Sequence, residues 1–350
     1  MESGKERTMK HGRNEDGSTR YLYGICCAVT VIVVLLPLFS RINSLPHKPV
    51  MAMLQIATLF TAKIFFERIA QEEQEKIGAL AGIVLYLTFP YRIDMCYGEK
   101  GIMAAAVWML LPLYGWALAE TLRRRKIGLQ SILVASGALA GIGYADFRFL
   151  LLTLVVTVLT AFWQRTVLPC LAATGGCVLF APGWYRLGKY LLTDDFAELN
   201  LSVQSIMPDG YTFGQFFSSY RFREGLPGMG LGLILCMVLG MWSWFVKRDK
   251  PGQPEKFFIG CALLFLFCAT RYCPWDLVQR LGTPFLRLIG MFQTPTFFFG
   301  YACACLCVAA VYVVRRLRQQ DSRIASAGMP ALIVAFGMGI CLYQGYRLGI

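Results

Sequence analysis

The sequence predicts an all-α fold: a polytopic membrane helix bundle of about eleven transmembrane helices. Three observations predict it. Apolar residues make up 56% of the 350-residue chain, more than a soluble domain of this size keeps out of water. They are gathered into long runs, and residues 21–40, 102–119 and 298–314 each approach the roughly 20 residues that cross a hydrocarbon core without an interrupting charge. Lys/Arg clusters close the runs and alternate along the chain, as they do when short loops are sorted between two sides of a bilayer.

Each element follows from the charges that stop it. The tail, residues 1–20, carries Lys5, Arg7, Lys10, Arg13 and Arg20, which places it in the cytoplasm. The first span, 21–40, is too long for a signal-peptide apolar region and lacks a clear small-residue cleavage site, so it is expected to stay in the protein. A short outer loop (41–48) leads to a second span (49–66), and the charged run 67–76 returns inside. The third span ends near Pro90 and exposes residues 91–101 outside. The fourth lands on Arg123, Arg124, Arg125 and Lys126, the strongest inside signal. The fifth and sixth form a hairpin around Asp146 and Arg148, turning again at 163–165. The seventh (166–181) leads to the longest outer segment, 182–227, whose first part alternates apolar and polar groups as a surface helix would. The eighth ends at Lys247, Arg248 and Lys250. The ninth, from Phe257, opens into an outer stretch in which 275–288 reads as an interfacial helix that Pro284 must bend or break. The tenth ends at Arg315, Arg316 and Arg318, and the eleventh (329–343) leaves the C-terminus outside. The expected organisation is therefore a cytoplasmic tail (1–20) and one transmembrane domain (21–350), multi-pass in a plasma membrane.

The formal net charge of +13 then reads as a topology signal plus attraction to anionic lipid. No basic stripe with interleaved aromatics lies on a soluble domain, so nucleic acid is not an expected partner. Only His11 and His47 are present, which removes paired-His zinc sites and most His-based triads. Gly228, Gly230 and Gly232 imitate a nucleotide loop, but they open an apolar run with no preceding strand, so helix packing is the expected role. Gly137 and Gly141 form a small-xxx-small pair expected to bring two helices close. Cys303, Cys305 and Cys307 alternate, and residues two apart on a helix face different ways, so packing is expected there rather than metal binding. Cys96 and Cys273 are the two thiols placed where a disulfide could form.

Candidate chemistry lies in the outer polar segments. Residues 91–101 hold Tyr91, Arg92, Asp94, Tyr97, Glu99 and Lys100 between two apolar spans, and charges at a membrane boundary are costly unless paired or functional. Asp94 has the chemistry of a general base for a hydroxyl acceptor, and Arg92 and Lys100 of phosphate binders. The alternative is that Tyr91, Arg92 and Lys100 are anchors reaching for headgroups. Neither Arg92 nor Asp94 falls in an apolar span core, so substitutions there are expected to spare folding. Asp146 with Arg148, and Arg221 with Arg223, form further outer clusters. Lys63 is the one basic residue inside a span.

In this order the clusters resemble one family: bacterial polytopic membrane proteins of glycosyltransferase-C-like architecture, labelled YfhO-like or 6-pyruvoyl-tetrahydropterin-synthase-related. The resemblance rests on Phe89-Pro90-Tyr91-Arg92 followed by Tyr97-Gly98-Glu99, on Leu111-Pro112-Leu113, on Gly225-Leu226-Pro227 opening a Gly/Leu-rich run, and on residues 288–297. It covers about residues 49–318. It implies transfer of a sugar from a lipid-phosphate donor to a cell-envelope acceptor on the outer face. Asp94 would be the acceptor base, and Glu99 its partner or a ligand of a divalent metal ion. Arg92, Lys100, Tyr91, Arg221 and Arg223 would hold the donor. Two departures stand out. The first outer loop, 41–48, lacks the carboxylate such transferases carry there, and Thr296 stands near where the family has an Arg. A non-catalytic protein binding lipid-linked glycans, or a transporter, are the alternative readings.

Overall fold

Helix α1 spans Tyr23–Leu35 and α2 spans Lys48–Ala70, and α2 shows how the bundle is built. Met51, Gln55, Thr58, Ala62 and Phe66 recur three or four residues apart and are buried. Met53, Ile56, Phe60 and Ile64 recur on the opposite face and are exposed. Both faces are thus largely apolar, which fits a helix with lipid on one side and protein on the other. The computed structural model describes residues 23–35, 48–70, 76–97, 101–124, 128–192, 209–218, 226–245, 252–292, 295–319 and 328–349. Among these, helices are joined by short connections, with an isolated bridge between Tyr211 and Thr270.

The further helices are α3 (Lys76–Thr88), α4 (Pro90–Tyr97), α5 (Gly101–Arg124), α6 (Leu129–Ala145), α7 (Phe147–Gln164), α8 (Leu168–Leu179), α9 (Ala181–Leu192), α10 (Phe213–Phe216), α11 (Leu231–Phe245), α12 (Gln253–Ala269), α13 (Trp275–Gln279), α14 (Thr283–Phe292), α15 (Thr296–Arg318) and α16 (Met329–Gly349). Four, α2, α5, α7 and α15, are long and apolar enough to cross a membrane, and α3 with α4 adds a fifth if that bent pair is one span. Several other runs read from the sequence as spans form shorter apolar helices, among them α6, α8 and α11. Helix α15 is the axis, with 94% of its apolar window buried. Gly300, Ala302, Ala304, Ala309 and Ala310 let α3, α11 and α12 approach it closely. Cys303, Cys305 and Cys307 are buried there as packing.

Cross-helix contacts divide the connections between two ends. At one end Tyr23 donates to Glu67, Arg68 pairs with Glu120, and Arg316 pairs with Glu255. At the other, Tyr97 donates to the Val34 carbonyl, and Tyr211 exchanges backbone bonds with Ala269 and Arg271.

Some local expectations change. Residues 91–97 are not loop but helix, because Pro90 occupies the first position of α4, where its missing N–H is not needed and its φ suits a helix start. Of the glycine pair, only Gly141 meets a neighbour: a Cβ there would lie 2.7 Å from Leu110, whereas Gly137 faces open space. Cys96 and Cys273 are free thiols. The break in 275–288 falls between α13 and α14, where Gly282 takes φ +147° just before Pro284. Gly232 packs as expected, 2.7 Å from Leu85 at the position of a would-be Cβ.

Candidate functional site

The candidate site is organised by the bend between α3 and α4, which turns the chain by 43° at Phe89-Pro90. A bend of this kind loosens backbone carbonyls that a low-dielectric interior cannot leave bare. Arg92 answers one of them. Its Nη1 donates to the Leu87 carbonyl at 2.7 Å, and its Nη2 donates to Gln55 Oε1 on α2. Gln55 Nε2 in turn reaches Met51 Sδ at 3.7 Å. The Arg92 side chain is fully buried. The expectation that Arg92 lies outside the packed core, and so is dispensable for folding, is thereby corrected. A side chain six bonds long, just past a bend, reaches back to the bend itself, which residue spacing alone does not show.

The other face of α4 presents Tyr91. Its ring lies 5.9 Å from Phe299 of α15, and its hydroxyl is hydrogen-bonded with Thr296, within electrostatic reach of Asp146 and Arg148. Gly300 makes this fit possible, since a Cβ there would sit 2.5 Å from the Tyr91 ring. Asp146 caps α7: its Oδ1 accepts from the Arg148 backbone N–H at 3.0 Å and from Arg148 Nε at 2.9 Å, while Oδ2 accepts from Nη2 at 2.7 Å. The Arg148 guanidinium lies 3.8 Å from the centre of the Phe297 ring. Asp146 and Arg148 thus form a local ion pair at the start of α7.

Tyr211, from the long segment 182–227, closes over this corner. Its ring stacks 4.4 Å from Phe299 and 5.3 Å from Phe216, and its hydroxyl donates to the Pro227 carbonyl at 2.8 Å. Burial holds its phenol well above the ordinary tyrosine range, and nearby Tyr91 and Asp94 act in the same direction. It therefore remains a hydrogen-bond donor. Asp94, on the turn of α4 between Tyr91 and Tyr97, is partly exposed. Tyr91 and Tyr211 thus share one partner ring, Phe299, which brings the segments 91–101 and 182–227 together at this corner.

Of the residues proposed from the sequence, the structure brings Tyr91, Arg92 and Asp94 onto one short helix, and Asp146 and Arg148 beside it. Glu99, Lys100, Arg221 and Arg223 lie outside the described residues. Among those that are described, no group of three or more His, Cys, Asp or Glu side chains gathers as a metal site. Sequence reading passed over Gln55, Tyr211 and the carboxylates Glu120 and Glu255. Gln55 did carry a signal: with Thr58 it places polar groups on the inward face of an apolar helix.

A cavity of about 390 Å³ opens toward the opposite end, between α2, α5, α7, α12 and α15. Lys63 is at that end as well, 4.0 Å from Glu67 and over the Tyr23 ring. It is half exposed rather than held at mid-bundle. No protein-family model, no curated protein and no solved structure matches this chain.

Proposed function

We propose that this chain is a membrane glycosyltransferase-like protein of about eleven spans, N-terminus inside and C-terminus outside, acting on a lipid-phosphate sugar donor at the Arg92 end. The carrying observation is Asp94, a partly exposed carboxylate fixed one turn beyond a bend that a buried arginine holds, with an aromatic wall of Tyr91 and Tyr211 beside it. Asp94 takes the proton of the acceptor hydroxyl as that oxygen bonds to the anomeric carbon; the bond from that carbon to the phosphate oxygen breaks, and the lipid phosphate leaves. Glu99 assists Asp94. Lys100, Arg221 and Arg223 bind the donor phosphate, and Tyr91 shapes the pocket. Arg92, in this reading, sets the position of Asp94 from within the core.

The test is sugar transfer in reconstituted membranes supplied with lipid-phosphate sugars. Asp94→Asn should lower the rate by about 10²- to 10⁴-fold, because an amide cannot accept the proton, and should leave the melting temperature unchanged. Full activity in Asp94→Asn removes Asp94 from the chemistry. A second reading, a non-catalytic binder of lipid-linked glycans, has its own observation: the first outer loop carries no carboxylate. It is favoured if wild-type protein binds such lipids and transfers nothing. Transport finds less support, because the large cavity has hydroxyls on its walls that are bonded to protein.

A further inference from the structure

The cavity between α2, α5, α7, α12 and α15 lies away from Asp94, and three of its features describe an occupant. The first is its wall. Tyr86 donates to the Trp108 carbonyl, Tyr114 and Thr157 bond to each other, Thr153 bonds Tyr301, and Thr160 donates to the Val156 carbonyl. These hydroxyls are engaged within the protein, so the lining offers dispersion contact and little for water or ions; such cavities take apolar ligands. The second is its depth. The lining on α15 runs from Tyr312 to Tyr301, which at 1.5 Å per residue is about 16 Å. That is about half a hydrocarbon core, the depth of one leaflet. The third is its mouth, where Gln164 and Pro254 are exposed. Arg68 stands there with its Nε buried and without a hydrogen-bond partner. Arg68 pairs with Glu120 through Nη2, and at the same end Lys63 pairs with Glu67 and Arg316 with Glu255, while the basic run Arg123 to Lys126 follows Glu120 in the sequence.

We infer that this cavity binds one acyl chain of an anionic phospholipid from the leaflet at the Arg68 end, with the lipid phosphate against Arg68. One-leaflet depth favours an acyl chain over a long isoprenoid, and the basic mouth favours a negative headgroup. The inference stands whether or not Asp94 does chemistry, since the two sites occupy opposite ends.

The test is native mass spectrometry of full-length protein, stripped by detergent exchange and then incubated with dioleoylphosphatidylglycerol or dioleoylphosphatidylcholine. One phosphatidylglycerol should be retained, with about a fivefold preference over phosphatidylcholine, the effect of one surface arginine. Val156→Phe and Ala119→Phe fill the cavity from different helices and should each lose the bound lipid without lowering the melting temperature. Arg68→Gln combined with Glu120→Gln, which keeps a neutral hydrogen-bonding pair, should retain lipid and lose the headgroup preference. Bromine on the acyl chain gives a variant-free reading: its density should fall inside the cavity of the wild-type protein. The inference is overturned if wild type retains no phospholipid, if it shows no preference for phosphatidylglycerol, if well-folded filled variants keep as much lipid as wild type, or if bromine density lies elsewhere.

Discussion

The two ends of this bundle treat inward-reaching arginine in opposite ways. At the bend, Arg92 is fully buried and bonds a backbone carbonyl and a side-chain amide. At the other end, Arg68 and Arg316 each meet a carboxylate, Glu120 and Glu255, themselves almost fully buried. The difference follows from the backbone. A bent helix offers carbonyls that have lost their own donors, and these can solvate a guanidinium. Straight helices offer none, so an inward-facing arginine there needs an acid from a neighbour. Helix polarity helps one of these pairs, since Glu255 sits in the first turn of α12 and Arg316 in the last turn of α15, each at the favourable end of its helix dipole.

This comparison is broken most directly at Glu255. Glu255→Ala leaves the Arg316 charge buried and should cost about 3–5 kcal/mol. Glu255→Leu combined with Arg316→Met should recover most of that loss, because it removes both charges. Unfolding in mixed micelles measures both. A double variant as unstable as the single one would mean that the pair fixes the packing of α12 on α15 by shape rather than by charge.

At the bend the effect should be smaller and the rescue different. Arg92→Leu strips a donor from Leu87 and from Gln55 and should cost about 2–3 kcal/mol. Arg92→Lys should recover only part, because a point charge cannot serve two acceptors as a planar fork does. Unchanged stability in Arg92→Leu would show that water reaches the bend. In the proposed reading Arg92 positions Asp94, so Arg92→Leu should also lower transfer under conditions where the protein remains folded.

What the sequence could reveal tracks the range of the interaction. Apolar runs are local, and the apolar helices follow them. The break near Pro284 was legible for the same reason: proline acts on its immediate neighbours. Burial of Arg92 was not legible, because polar residues in an apolar context read as loop, and only the position of Gln55, 37 residues earlier, shows otherwise. The pairs Arg68–Glu120 and Glu255–Arg316 join helices more than fifty residues apart, so each charge reads singly as a span terminator. At the candidate site, Asp94 and Tyr91 were visible as a cluster; Tyr211, arriving from a distant segment, was not.

The smallest predicted effect separates a second way of meeting a bare carbonyl. Pro112 lies inside α5 and has no N–H, so the Trp108 carbonyl four residues earlier loses its helical donor. Tyr86 supplies one from α3, its hydroxyl 2.8 Å from that oxygen. Here the protein uses a neutral phenol where the α3–α4 bend uses a guanidinium, and the expected cost of losing it is correspondingly low. Tyr86→Phe should destabilise by about 1 kcal/mol, the net worth of one neutral hydrogen bond. In a Pro112→Ala background the helix regains its own donor, and Tyr86→Phe should then cost nothing measurable. The double-mutant cycle isolates this coupling, because phenylalanine keeps the ring packing against Trp108 and Phe89. Equal costs in both backgrounds would show that the Tyr86 hydroxyl acts through some partner other than the carbonyl that Pro112 exposes.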